Sequence, residues 1–324
     1  MKNITGFAIF VIICCGAPFV SAQETWEAPY AFSVSYRFGF LYGQAEELVY
    51  PADTKAELLS ELLWDINPVL YNGLLLDFSS ADPLKKPAFF SSLSLKFGIP
   101  GQSGKMEDRD WQSKENTALT NFSSHDNVVR ELFFLDARAG YSFPLVRFLL
   151  IKPFINVSYM RFRFSGMDGY YIYARLENGK YDPINDNPDT GEFSGKVINY
   201  TQEWLNAAPG LSLGLYFLDH YLAELSFQIT PLVFCSGLDE HLVQSKKQYR
   251  DQMQGGLFLE AGAQYTFSPV KWFSFSVECS WRYATGAKGN SYQRAYRSEY
   301  YVENGTAGAG LSILDTGLCM KIRL

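Results

Sequence analysis

Apolar and polar residues alternate along much of the chain with a period of two. From Phe32 to Tyr42 the even positions are Phe, Val, Tyr, Phe, Phe and Tyr, while the odd ones include Ser33, Ser35, Arg37 and Gly39. Between Phe273 and Tyr283 the odd positions are Phe, Phe, Val, Cys, Trp and Tyr, with Ser274, Ser276, Glu278, Ser280 and Arg282 between them. Leu257 to Phe267 repeats the pattern, with Glu260, Gln264 and Thr266 on the second face. The last residues set Leu318, Met320, Ile322 and Leu324 against Lys321 and Arg323. Successive side chains of a strand point to opposite faces. Each segment therefore carries one aromatic-rich apolar face and one face with charges of both signs. A soluble sandwich turns its polar face to water and is seldom so aromatic on the other. A barrel with lipid outside and a polar interior fits both faces.

The pattern predicts about ten strands, near 30–46, 56–76, 87–99, 128–143, 149–166, 196–217, 220–236, 254–267, 271–286 and 306–324. The second and fourth are the least regular. Short connections, Ser142 to Arg147, Leu218 to Tyr221 and Ser268 to Lys271, alternate with long ones near 100–127, 167–195, 237–253 and 287–305. Outer-membrane barrels pair short periplasmic turns with long extracellular loops. The connection at 77–86, with Pro83, Lys85 and Lys86, is longer than a tight turn and is the one misfit. A bilayer admits only helices or closed barrels, and no apolar run after residue 22 approaches the 18 residues of a spanning helix. The expected fold is an all-β, transmembrane antiparallel β-barrel.

The first 22 residues read as a signal peptide. Lys2 supplies the positive start, Phe7 to Cys15 the apolar run, and Val20-Ser21-Ala22 the small residues before a cut at Gln23. That run is too short for an anchor, and neither Cys14 nor Cys15 follows the small residues of a lipoprotein site. Residues 23–324 then form a single barrel domain. The three cysteines left, Cys235, Cys279 and Cys319, are odd in number and widely spaced, which argues against a disulfide framework or a metal site. Without Lys2 the balance is 27 basic against 34 acidic residues. Nucleic acid is a poor partner for such a chain.

Candidate chemistry sits on the long connections. Asp108 and Asp110, in MEDRDW, are two apart and share one face of any extended segment. Asp239 and His241, in DEH, have the same spacing on the same side of the barrel. Histidine is the usual proton carrier near neutral pH. Of the three histidines, His220 falls in a short turn and reads as structural, leaving His125 and His241. An Asp–His pair can deprotonate water while opposed carboxylates hold that water and a substrate carbonyl. Two close carboxylates tend to share a proton. No serine or cysteine stands in a nucleophile-elbow setting, so activated water is the expected nucleophile.

MEDRDW with His125 after it, and DEH followed by KKQYR, resemble the omptins, outer-membrane endopeptidases of Gram-negative bacteria. YIY at 171–173 fits as well, and the likeness spans nearly all of residues 23–324. The resemblance implies that His241, oriented by Asp239, activates water, while Asp108 and Asp110 position it and stabilise the tetrahedral intermediate. It implies polypeptide substrates cut next to basic residues, with Glu47 as one acid of the substrate pocket, and no cofactor or metal. Two departures weaken the preference for Lys or Arg: a second pocket acid falls at Gly237 and a further acid at Asn121. Of the family's lipopolysaccharide-binding set only Arg161 lines up, and Glu203 stands where a base is expected.

Other readings compete with this one. A catalytically silent barrel could act as an adhesin or host-protein-binding protein; a small pore and a metal-dependent hydrolase are the others. Arg37, Glu224, Glu260, Glu278, Arg282, Lys321 and Arg323 are expected to fill the lumen as ion pairs, leaving little room for a channel. The alternation also contains a conflict. In the seventh strand Tyr221, Leu225, Phe227 and Ile229 read as lipid-facing, and counting on by twos puts Asp239 and His241 outside too. A bulge at Pro231 or Gly237 must intervene.

Overall fold

The structure, a computed structural model, describes residues 31–324 except 52–57, 113–117, 178–179, 182–183, 185–186, 219, 244–245 and 296–297. The proposed signal peptide lies outside the described residues. Ten antiparallel staves close into a barrel: β1 (Ala31–Val49), β2 (Ser60–Ser79), β3 (Ala88–Gly98, continued as Gly101–Asp110), β4 (Asn121–Val146) and β5 (Leu149–Tyr173) form one half. The other half is β6 (Lys196–Phe217), β7 (Tyr221–Thr230, continued as Val233–His241), β8 (Lys247–Gln254, continued as Leu257–Val270), β9 (Phe273–Ala295) and β10 (Tyr301–Arg323). Neighbours in sequence pair throughout, and β10 pairs with β1 to complete the ring.

These staves outrun a bilayer. At about 3.3 Å per residue and a tilt near 45°, the 26 residues of β4 reach ~60 Å along the axis. The hydrocarbon core is only ~30 Å thick. Leu74, Leu93, Ile155, Leu225, Val277 and Leu318 are exposed on the half nearest the short turns, which is the half that lipid surrounds. Stacked rings of Phe217, Tyr221, Tyr265 and Phe267 edge that half at the turn end, while Phe97, Phe133 and Tyr159 meet near its other rim. The 77–86 misfit is a turn: β2 ends at Ser79, β3 starts at Ala88, and Asp82 accepts from the backbone of Leu84 between them.

Inside the lipid-girdled half, Arg37 pairs with Glu278 at 3.2 Å. Arg282 bridges Asp136 at 2.9 Å and Glu260 at 3.2 Å. Lys321 meets Asp77 at 2.8 Å, while Lys152 joins Glu224 and Lys96 joins Asp315. The expected lumen pairs form, and Asp77, Lys96, Asp136, Lys152 and Asp315 enlarge the set. Arg323 lies at the turn-end mouth, beside the others around a cavity of about 390 Å³. Above this polar layer the interior turns apolar. Trp64 stacks between Phe164, at 5.4 Å, and Tyr200, at 5.5 Å, with Phe134, Phe162, Trp204 and Phe258 fully buried around them. That plug separates the lower cavity from the open end.

Between the two halves, several ladders slip by one residue. In β2 the inward series runs Ser60, Leu62, Trp64, Ile66 and then Val69 and Tyr71, the phase changing at Asn67–Pro68. This explains the irregularity of the second segment. In β7, Gln228 faces Gly210 of β6 but Val233 faces Asn206, one residue more on β7 than on its partner. Exposure moves accordingly from Phe227 and Ile229 to Leu232 and Phe234. Pro231 supplies the required bulge, since a proline cannot donate to the ladder. Gly237 does not, because it faces Gln202 in regular register. Asp239 is thereby turned inward.

One expectation is corrected. Asp108 and Asp110 lie in β3 itself rather than in a loop, as do residues 101–110 generally. The stretches 237–253 and 287–305 are also mostly strand. Beyond the bilayer a strand has no lipid to face, so both its sides can be polar and it reads as loop.

Candidate active site

The open end is lined by residues of all ten staves around a cavity of about 470 Å³. On one wall, the β3 residue Asp108 lies between Leu62 of β2 and Ser123 of β4, and Asp110 between Ser60 and Asn121. Facing them on β7, Asp239 lies between Tyr200 of β6 and Tyr249 of β8. His241, the last residue of β7, sits opposite Ile198. The period of two, set by the Pro231 bulge on one side and the even phase of β3 on the other, aims all four side chains into the cleft. Its floor is the Trp64 plug. Gln202 stiffens that floor, donating to Tyr200 Oη at 3.2 Å and accepting from Trp204 Nε1 at 2.8 Å.

His241 Nε2 lies 2.7 Å from Asp239 Oδ2, and its ring meets Tyr249 edge-on at 5.5 Å. Asp239 is 3% exposed. Burial opposes charge on His241, but Asp239 first, then Asp108 and Asp110, outweigh it and push the imidazole up to about 9. Across the cleft, burial raises the Asp108 carboxyl well above the usual range and Asp110 adds to this, while His241 pulls it down. Asp110 is raised by burial too, although Ser60 and Asn121 hydrogen bonds favour its anion. Asn121 Nδ2 donates to Asp110 Oδ2 at 3.2 Å, and Ser60 Oγ to Asp108 Oδ1 at 3.5 Å. The mutual influence of Asp108 and His241 marks the two walls as electrostatic neighbours. The cluster thus favours the protonated imidazole on one wall and pushes the two carboxyls on the other toward their neutral forms.

Glu47, on β1, lines the same cavity and is 3% exposed. Burial first, then Asp239, Asp251 and Asp108, raise its carboxyl far above the usual range. Thus all five sequence candidates share one cleft. Tyr173 of YIY lines it as well. His220, in contrast, hydrogen-bonds the Ser268 carbonyl at 2.9 Å in a turn at the far end. Among the described residues, no group of three or more His, Cys, Asp and Glu has metal-holding geometry.

Two features escaped the sequence reading. Asp251 lies in the cleft, on a strand read as loop; had KQYRDQMQ been taken as extended, Tyr249, Asp251 and Met253 would have fallen on one face. Burial raises the Asp251 carboxyl to about 6, against a Ser291 hydrogen bond, with Asp239 adding to the rise. The second feature is a Ser–His couple. His125 Nε2 lies 3.0 Å from Ser123 Oγ and its Nδ1 2.5 Å from the Asp168 carbonyl. Both side chains line the cleft but are almost wholly buried, and burial holds the His125 imidazole below its ordinary value.

The chain matches the Omptin family model over residues 28–323. It is 27% identical over 284 residues to the plasminogen activator of Yersinia pestis, covering 82% of each chain. It is 24% identical over 309 residues to protease 7 of Escherichia coli (strain K12), covering 92% of each. Among solved structures, the outer membrane protease OmpT from Escherichia coli superposes with a TM-score of 0.80 at 19% identity, over 93% of this chain and 99% of that one.

Proposed function

The chain belongs to the omptin family, and on that premise we propose that it is an outer-membrane endopeptidase whose cleft opens to the extracellular side. The observation that carries the reading is the His241–Asp239 couple facing Asp108 and Asp110 across one cavity. With Nε2 held by Asp239, the other ring nitrogen of neutral His241 takes a proton from water. The water attacks a peptide carbonyl lying between the walls. A carboxyl kept protonated by its neighbour donates to the oxyanion as charge develops there. His241 then returns the proton to the leaving amine. Glu47 lies in the wall beside this path and supports a preference for basic residues in the substrate.

Lipopolysaccharide has no part in the proposed mechanism. Arg161, the one matching base, is held by Glu131 at 3.3 Å and Glu203 at 3.1 Å, and Glu203 also accepts from Tyr159. A cation neutralised on two sides by carboxylates is a weak phosphate receptor.

The test is cleavage of a peptide library by the detergent-refolded chain, beside His241→Ala and Asp108→Asn. Each variant is expected to lose about 10²–10⁴-fold in kcat, the usual worth of a positioned acid or base. Cleavage at equal rates in all three would remove the couple from the mechanism. No cleavage by any would favour a barrel that only binds proteins, and loss on adding chelator a metal-dependent hydrolase.

A further inference from the structure

Gly237 stands where the family resemblance expects an acid of the substrate pocket, and on that ground alone the preference for Lys or Arg should fade. The structure fills the space another way. Gly237 faces Asp251 directly across the β7–β8 ladder. A Cβ built on Gly237 would lie 3.3 Å from Asp251 Oδ2 and 3.4 Å from Tyr200 Oη. The volume that a side chain at 237 would enter is occupied by the Asp251 carboxylate, delivered from the neighbouring strand.

Asp251 and Glu47 are only 5% and 3% exposed, and both line the cleft that holds His241. Oδ1 of Asp251 and Oε2 of Glu47 are buried and meet no donor among the described residues. Buried carboxylate oxygens of this kind are costly unless a charged donor reaches them. Among the described residues, no lysine or arginine lines the cavity with them. A cation entering the cleft meets these two carboxyl groups, one on β1 and one on β8, along the wall that holds His241. Acceptors offered by two different strands suit the forked N–H groups of arginine or the three N–H groups of lysine.

We infer that Asp251 is a specificity-determining residue: with Glu47 it forms the floor of the pocket that receives a Lys or Arg side chain of the substrate, in place of an acid at position 237. The inference rests on the endopeptidase reading of the same cleft. It restores the preference for basic residues that Gly237 seemed to remove.

The test uses the detergent-refolded chain and peptides that differ only at one residue beside the cleaved bond, carrying Lys, Arg, Gln, Leu or Glu. Wild-type protein is expected to favour Lys and Arg. Asp251→Asn should lower kcat/KM on those two by about ten- to a hundredfold, the worth of a charge-assisted hydrogen bond. Cleavage of the Gln and Leu peptides should stay within about threefold. The double change Gly237→Asp with Asp251→Gly moves the acid back across the ladder and should recover the preference. An equal loss on every peptide, or a wild-type enzyme indifferent to charge, would overturn the assignment. A wild-type chain that cleaves no peptide at all would sink the endopeptidase reading itself, and this inference with it; cleavage with the wrong selectivity would sink only the inference.

Discussion

Asp251→Asn should stabilise the barrel at neutral pH while it damages the enzyme. Burial holds the Asp251 carboxyl at about 6 in the fold, against 3.8 when it is free. The folded state therefore binds a proton over a range where the unfolded chain has released it. By linkage, stability falls as pH rises from about 4 to about 6 and stays lower above that. A shift of roughly two units at 1.36 kcal/mol each sets the cost near 3 kcal/mol. Asp239 shares that cost, so roughly 1–3 kcal/mol should be recovered when the charge is removed. Asparagine imitates the protonated acid and can still accept from Ser291. The assay is equilibrium urea unfolding in mixed micelles, followed by tryptophan fluorescence at pH 4 and pH 7.5. The variant should match wild type at pH 4 and exceed it at pH 7.5. A variant equally or less stable at pH 7.5, or one more stable by the same amount at both, would refute the argument.

Three further outcomes follow from the geometry. If neutral His241 is the base, its elevation to about 9 makes kcat/KM climb with pH through neutrality and level off near 9; a profile already flat above pH 6.5 contradicts this. Deleting Leu232 removes the extra residue of β7 and should turn Asp239 and His241 toward the outside, abolishing cleavage while circular dichroism still reports an intact barrel. Arg282→Met leaves Asp136 and Glu260 facing each other without their cation, and should cost about 3–5 kcal/mol in unfolding measurements with little change in kcat.

Legibility from sequence followed the lipid. Where staves cross the bilayer, as at Phe273–Tyr283, one face must be apolar and the alternation declares both strand and phase. Above it, residues 101–110, 237–241 and 247–254 contact water outside and a polar cleft inside, so no periodic contrast survives. Those segments read as loop although they are ladder. Asp108, Asp110, Asp239, His241 and Glu47 were found through motif and resemblance rather than periodicity. Asp251 was missed because only a cross-strand register brings it beside Gly237, and register is not written in either strand alone. The aromatic plug around Trp64 was hidden for a related reason. β2 changes phase at Asn67–Pro68, which blurs the pattern on both sides of it.

The central claim is that water, activated by the His241–Asp239 couple, attacks the peptide bond, although a Ser123–His125 couple lies in the same cleft. The direct measurement is kcat on a single Lys-containing peptide for His241→Ala and Ser123→Ala, each with its folding checked by circular dichroism. The expected result is a loss of about 10²-fold or more in His241→Ala and activity within about tenfold of wild type in Ser123→Ala. Abolished cleavage in Ser123→Ala beside a nearly unaffected His241→Ala would contradict it, and would make the serine hydroxyl the nucleophile.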